Sequence, residues 1–535
     1  MKLQTIYILA SVIMLMAFAS CKKDLLKTNT DPNAVSVDVF DPNNILTSTQ
    51  LYYTGSSNNA QEVEETEIAG AGCFIQHYAS TSGIFFGDKY LLSTGGFGYF
   101  YDNVYTQAVK YAVDLYTTTQ GKPQYKNLHQ MSRIMRALIF QRITDVYGDV
   151  PYFQAGLGYH GSVFFPAYDK QQDIYSDMLK EVSQAVDSLD NNADKPSGDL
   201  FYSGQDDQIA KWKRFGNSFL LRLAMRLTKK DPATSQKYAT QVQGKTMLSN
   251  DDNAIVQHDG NDPLSVNRIY RGIGEDGQVQ LSWQISKTFI DFLQSTNDPR
   301  LPVLSYLYPA DFDPLSNPDP SGGSSDPADQ LGLPNGYDVG NTVLYGISNY
   351  VDPVTHTKTY PGSIAGYSRP SPNVFYATAP TLVLTYAETE LLLAEAAQRW
   401  GLGDATTHYK NGVINGITEL SAFGAAATVA ASAAGDYYTA HPYVAASGLE
   451  MINDQYWVTT FMDEYEAWSN FRRTEMPTFV RAPRAYPGSQ SPGAIPRRME
   501  YSVADKQVNP VNYNAAVSRL TGGDKITSRV WWDLP

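Results

Sequence analysis

The feature that most constrains this chain is apolar spacing that recurs in pairs of helices. In "NLHQMSRIMRALIFQRITDVYG" the residues Met131, Ile134, Met135, Leu138, Ile139 and Ile143 fall at three-and-four intervals, one face of an amphipathic helix. "KQQDIYSDMLKEVSQAVDSLD" places Ile174, Met178, Val182, Val186 and Leu189 likewise, so a second helix returns along the first. A further pair is written in "QIAKWKRFGNSFLLRLAMRLTKKDPATSQKYATQVQG", broken at Asp231-Pro232, a cap followed by a first-position proline, and ended by Gly244. "TLVLTYAETELLLAEAAQRWGLGDATTHYKNGVINGITEL" repeats the layout around Gly401 to Gly403. The expectation is a mainly α fold, with helical hairpins over about 126–244 and 381–420.

Ala394, Ala397, Gly403 and Tyr409 fall at the close-contact intervals of a tetratricopeptide hairpin, which makes a superhelical scaffold the expected architecture. Between about 250 and 379 the helical pattern gives way to Pro, Gly, Asp and Ser, with one helix, "LSWQISKTFIDFLQST", set inside. Loops of this kind carry function more often than the scaffold does. A second irregular block over about 421–460 has low complexity, its alanines compatible with helix or with a flexible insertion.

The N-terminus reads as an export signal over 1–20: a basic start, an apolar run from Ile6 to Ala19, and small residues before Cys21. "FASC" resembles a bacterial lipobox, in which the cysteine becomes the mature N-terminus and carries diacylglycerol and an amide-linked acyl chain. Residues 21–42, with Pro, Asn and Asp turn signals, read as a tether, and 43–535 as a single domain. With Cys21 acylated, Cys73 has no partner in the chain, so stability must come from burial. The formal charge of −14 makes nucleic acid an unfavourable partner.

Local motifs for chemistry are sparse. The seven histidines lie far apart, with no HExxH pair for zinc and no G-x-S-x-G nucleophile elbow. "GIGEDG", Gly272 to Gly277, matches G-x-G-x-x-G, yet it follows no strand, and Glu275 and Asp276 would repel a phosphate. The Asp-rich run from Asp311 to Asp329 offers oxygens of the kind Ca²⁺ takes but lacks the ordered spacing of a calcium loop, so no cofactor is expected. In "RITDVYGDVPYFQAG" the carboxylates of Asp145 and Asp149 flank the Gly148 turn that ends a helix, which reads them as loop residues and not as an acid–base pair. Glu388, Glu390 and Glu395 read as a solvated or salt-bridged helix face, and Arg472 and Arg473 as arginines that pair with carboxylates between helices.

Several segments together resemble the SusD-like (RagB/SusD) outer-membrane lipoproteins of Bacteroidetes, in the branch described as starch-binding, associating with outer membrane. They are "NTDPNA", "MRALIFQRITDVYGDVPYFQA", "LSWQISKTFIDFLQSTNDPRLP", "TYAETELLLAEAAQRWG", "EAWSNFRRTEMPTF", and "IPRRMEYS" leading to "KITSRVWWD". Their order along the chain matches the family. The resemblance implies four tetratricopeptide-like hairpins as scaffold and an irregular half that carries the ligand surface. It also implies a partner, a SusC-like TonB-dependent outer-membrane barrel, to which a captured oligosaccharide or polysaccharide is delivered without chemistry. One departure is "CKKDLL", mostly basic where surface display is favoured by acids, so the outward-facing location rests on the family.

Sugars present flat C–H faces and many hydroxyls, and their sites combine aromatic rings with polar acceptors. "YASTSGIFFGDKYLLSTGGFGYFYDNVY", Tyr78 to Tyr105, sets rings among glycines, and Phe86, Tyr90 and Phe97 are the candidate stacking residues, with Trp283 a fourth. The rival functions are a lipid-anchored helical glycoside hydrolase, which needs a carboxylate pair, and a helical-repeat scaffold that binds only protein.

Overall fold

The computed structural model describes residues 40–56, 61–81, 87–91, 95–273, 283–313, 316–339 and 344–535. Asn43–Pro535 cluster as one unit. Its helices are α1 (Asn43–Tyr53), α2 (Tyr99–Val104), which runs through a π-helical turn into α3 (Lys110–Thr119), α4 (Lys126–Tyr147), α5 (Gln171–Ser188), α6 (Gln208–Met225) and α7 (Pro232–Val242). After a stretch in which α8 (Lys287–Ser295) is the one helix of nine residues or more among the described residues come α9 (Tyr386–Trp400), α10 (Ala405–Thr418), α11 (Ala431–Ala440), α12 (Gly448–Thr459) and α13 (Glu464–Thr474). The pairs α4/α5, α6/α7, α9/α10 and α12/α13 pack side by side, and α5 on α6, α6 on α9 and α13 on α4 join them into a tetratricopeptide-like scaffold.

The boundaries follow local chemistry. Gly148 takes φ +89° to end α4, and Gly401 takes φ +68° to end α9, a backbone region in which a side chain is strained. The Asp231 carboxylate accepts from Thr234 N at 3.1 Å, capping α7 ahead of Pro232. The helix pairs approach closely where a side chain is absent: a Cβ on Gly216 would meet Val186 at 2.3 Å, and one on Gly412 would meet Leu391 at 2.6 Å. The 421–460 stretch, read as a low-complexity insertion whose alanines could be helical or flexible, carries all of α11 and α12, so its alanines are helix formers.

The scaffold core is more ionic than its sequence suggests. Glu388 and Glu395 do not face water. Arg222 grips Glu388 with two nitrogens, and Arg473 grips Glu395 at 2.7 and 2.5 Å. Glu390 is buried as well and accepts from His408 and Asn411. Asp145 is likewise buried and not a loop acid: Tyr175, Trp532 Nε1 at 2.8 Å and Arg226 Nε at 3.1 Å converge on it. Arg226 also binds Glu466, whose other oxygen accepts from Tyr456 at 2.8 Å. Apolar spacing marks such charges as solvent-facing, yet four facing helices enclose them, and each charge has a hydrogen-bonded partner. Arg473 pairs with a carboxylate as expected; Arg472 instead donates to the backbone carbonyls of Asp145 and Arg497 and packs 3.7 Å over the Trp468 ring.

The irregular half is held by antiparallel two-stranded ribbons: β1 (Tyr78–Ala79) with β3 (Gln284–Ile285), β2 (Ala254–Val256) with β6 (Thr381–Leu384), and β4 (Ser305–Tyr306) with β5 (Arg369–Pro370). Ile285 also accepts from Leu333 N at 2.9 Å and donates to Ser368 O at 2.9 Å, so three remote loops share one short ladder. A small separate core of Ala79, Leu333, Ile347, Tyr350 and Tyr367 sits on that ladder, apart from the main core.

Candidate functional site

Three of the rings singled out in the sequence, Tyr90, Phe97 and Trp283, are packing groups. Tyr90 and Phe97 are each 2% exposed and set their edges on Phe74 at 5.7 Å; Trp283 is 1% exposed in the main core. No face of these three rings is open to a sugar. Glycine-rich sequence around Tyr90 and Phe97 signals a loop, but here the glycines let backbone approach backbone: a Cβ on Gly87 would overlap the Ala69 carbonyl. Phe86 and Cys21 lie outside the described residues, as does most of "GIGEDG". Cys73 is a buried free thiol whose pKa burial pushes well up, the behaviour of a small core residue. In the Asp-rich loop, Asp319 and Asp326 accept from the backbone of Ser321 and Ala328, capping the loop's own turns. Among the described residues no cluster of three or more His, Cys, Asp or Glu side chains is placed to hold a metal ion.

The candidate site is an open cleft of about 430 Å³ in the irregular half, next to the small core. Segments far apart in sequence build it: Gln76, the first turn of α8, residues 334–337, residues 350–354, and residues 479–484. The floor is fixed by hydrogen bonds. Asn335 donates to Tyr78 O at 2.8 Å and accepts from Ser286 Oγ at 2.6 Å, while Gln76 accepts from Thr288 Oγ1 at 2.5 Å and donates to Arg481 O.

The walls are aromatic and cationic. Tyr337 is half-buried, its ring edge-on to Tyr350 at 5.1 Å, and Phe479 is half-buried and stacked on Phe292 at 5.0 Å. Arg481 and Arg484 are exposed at the rim and form no ion pair among the described residues. Arg484 lies 5.2 Å over the Tyr345 ring, and Tyr345 meets Tyr486, whose hydroxyl donates to Asp338. That hydrogen bond, together with burial, raises the Tyr486 hydroxyl to about 12, so it stays a donor at any physiological pH.

The acids of the cleft are already engaged. Asp352 accepts from the Val354 and Thr355 backbone at 2.8 Å each and from Lys287 Nζ at 2.9 Å; the Thr355 N–H and Lys287 hold it well below the usual carboxylate range despite partial desolvation. Burial lifts Asp291, and its bond to Lys287 only partly offsets that. Both carboxylates therefore share one ammonium. The arrangement offers ring faces, guanidinium donors and amide groups to a ligand rich in hydroxyls or amides.

The glycine-rich loop singled out in the sequence borders this cleft through its backbone and Asp88. Asp88, from the glycine-rich loop, accepts from Gly336 N at 3.1 Å, and Tyr90 O accepts from Gln490 N at 2.6 Å, so the described part of that loop abuts the cleft. The missed residues carry a signal: tyrosines in "NGYDVG" and "LYGISNYVD", and arginines in "RAPRAYP", sit in loops without helical periodicity.

The family described as starch-binding, associating with outer membrane, SusD-like, matches residues 32–502. A solved chitin-binding protein is 31% identical, with a TM-score of 0.77 over 92% of this chain and 100% of its own. A Bacteroidetes AC2a SusD-like protein is 24% identical (TM-score 0.78, 93% and 100% covered), and a chitin-binding SusD homologue from Flavobacterium johnsoniae is 20% identical (TM-score 0.72, 92% and 99% covered); these two show the shared fold. No curated protein matches the sequence. A helical-hairpin scaffold carrying a loop-built cleft, matched along nearly its whole length, places this chain in the SusD-like family of outer-membrane-associated starch-binding proteins.

Proposed function

We propose that this protein is a lipid-anchored outer-membrane component that binds a chitin-type oligosaccharide in the cleft between Tyr337, Phe479 and Arg484 and passes it to a SusC-like TonB-dependent barrel, with no chemistry of its own. The cleft carries the reading: half-buried rings and rim guanidinium groups with no carboxylate partner among the described residues meet above a hydrogen-bonded floor, in a space within the roughly 300–1,000 Å³ of small-ligand sites. The likeness to a chitin-binding protein supports an N-acetylated sugar, whose amide would suit Gln76 and Asn335. The Lys287 bridge between Asp291 and Asp352 gives these two acids a structural role, which supports binding over hydrolysis.

Calorimetric titration of the protein with chito-oligosaccharides and with malto-oligosaccharides tests the ligand. Binding of the first and not the second is expected; preference for the second would move the substrate to starch. Release of shorter products on incubation would replace the binding role by the hydrolase.

A further inference from the structure

A second cleft, of about 580 Å³, lies where the C-terminal segment crosses the scaffold at the start of α5. Its charge is opposite to that of the chain. Lys170, Lys230, Arg519 and Arg529 line it against the two carboxylates of Asp149 and Asp533, in a protein of net charge −14.

The four cations divide into two kinds. Arg519 is tied to Asp149 and donates to Tyr168 O at 3.0 Å; Arg529 donates to Asp533 at 2.6 Å. These two are held in place and largely neutralised. Lys170, exposed, and Lys230, half-buried, form no ion pair among the described residues. Lys230 lies 5.5 Å over the half-buried ring of Trp531, whose other neighbour is Tyr175 at 6.4 Å. Exposed hydroxyl and amide groups of Gln172, Thr521 and Thr527 complete the lining.

Two ammonium groups without counterions, an indole, and hydroxyl-bonding side chains around one roomy cleft are the parts needed to hold a sugar that carries a negative group. We propose that this cleft is a second ligand site, independent of the one between Tyr337 and Arg484, and that it takes an anionic saccharide, with Lys170 and Lys230 meeting the carboxylate or sulfate and Trp531 the ring. The neutral ligand of the first cleft has no use for the lysines, so the two sites are told apart by which substitution weakens which ligand.

The test is titration of the full chain with an oligogalacturonate, a sulfated N-acetylglucosamine oligomer and a neutral chito-oligosaccharide, with Trp531 fluorescence as a second readout. At least one anionic probe binds, and which of the two does so distinguishes carboxylate from sulfate. Lys170→Ala with Lys230→Ala weakens that probe by about tenfold or more, as does raising the salt to high concentration. Trp531→Phe abolishes its fluorescence change. The same lysine variant leaves the chito-oligosaccharide affinity unaltered, and Tyr337→Ala leaves the anionic probe unaltered. Failure of both anionic probes to bind the wild-type chain, or equal affinity for wild type and the double lysine variant, overturns the second site without touching the first.

Discussion

The helical scaffold and the rim of the first cleft use arginine in opposite ways. In the helical scaffold Arg222, Arg226, Arg472 and Arg473 are each no more than 2% exposed and bind carboxylates, backbone carbonyls or an indole between helices. In the irregular half Arg481 and Arg484 stand at the rim of a cleft with no carboxylate on them. Burial makes the first set expensive to disturb, since a charge stripped of its partner there has no water to replace it. Exposure leaves the second set cheap to change and free to meet a ligand. Rigidity and recognition are thus assigned to different regions of one chain.

The sharpest break of this contrast comes from Arg473→Ala, which removes the two-nitrogen grip on the buried Glu395 carboxylate and leaves Arg399 as its guanidinium partner. It should cost about 3–5 kcal/mol of stability in urea denaturation, and a loss below about 1 kcal/mol would show that the scaffold pairs are dispensable.

Glu395 also predicts a pH effect. Burial alone would raise its pKa, but Arg473 and Arg399 outweigh burial and hold it at about 2 against an ordinary 4.5. A depressed carboxylate contributes stability above its unfolded value and loses it as the pH falls toward the folded one, a contribution of about 3 kcal/mol. Denaturation curves should therefore show a loss between about pH 4.5 and 2 that is absent in Glu395→Gln, which is already destabilised at neutral pH.

In the cleft the effects are smaller in stability and appear in binding. Lys287→Met frees Asp291 and Asp352 from their shared ammonium, at a cost of about 1 kcal/mol because the lysine is partly solvated, and weakens glycan binding several-fold. Arg484→Ala should leave the denaturation midpoint unchanged and weaken binding about threefold by removing one exposed donor.

The same division explains what could be read from the sequence. Helix positions, the Gly148 and Gly401 stops and the Asp231 cap were legible because they depend on residues near one another in the chain. The burial of Asp145, Glu388 and Glu395 was not, because their partners Arg226, Arg222 and Arg473 come from other helices, 78 or more positions away. The cleft was hidden for a similar reason: Gln76, Tyr337 and Arg484 meet only after the short β ladder has joined their loops. Aromatic residues among glycines marked a loop correctly at Tyr90 and Phe97, but they could not say which side of it faces water.

The most direct test of the account is a paired measurement on Tyr337→Ala: chito-oligosaccharide affinity by calorimetry and stability by urea denaturation. The ring forms part of the cleft wall and lies outside the main core, so affinity should fall about tenfold or more while stability changes little. Unchanged affinity for every chito-oligosaccharide that binds the wild type would contradict the placement of the ligand in this cleft.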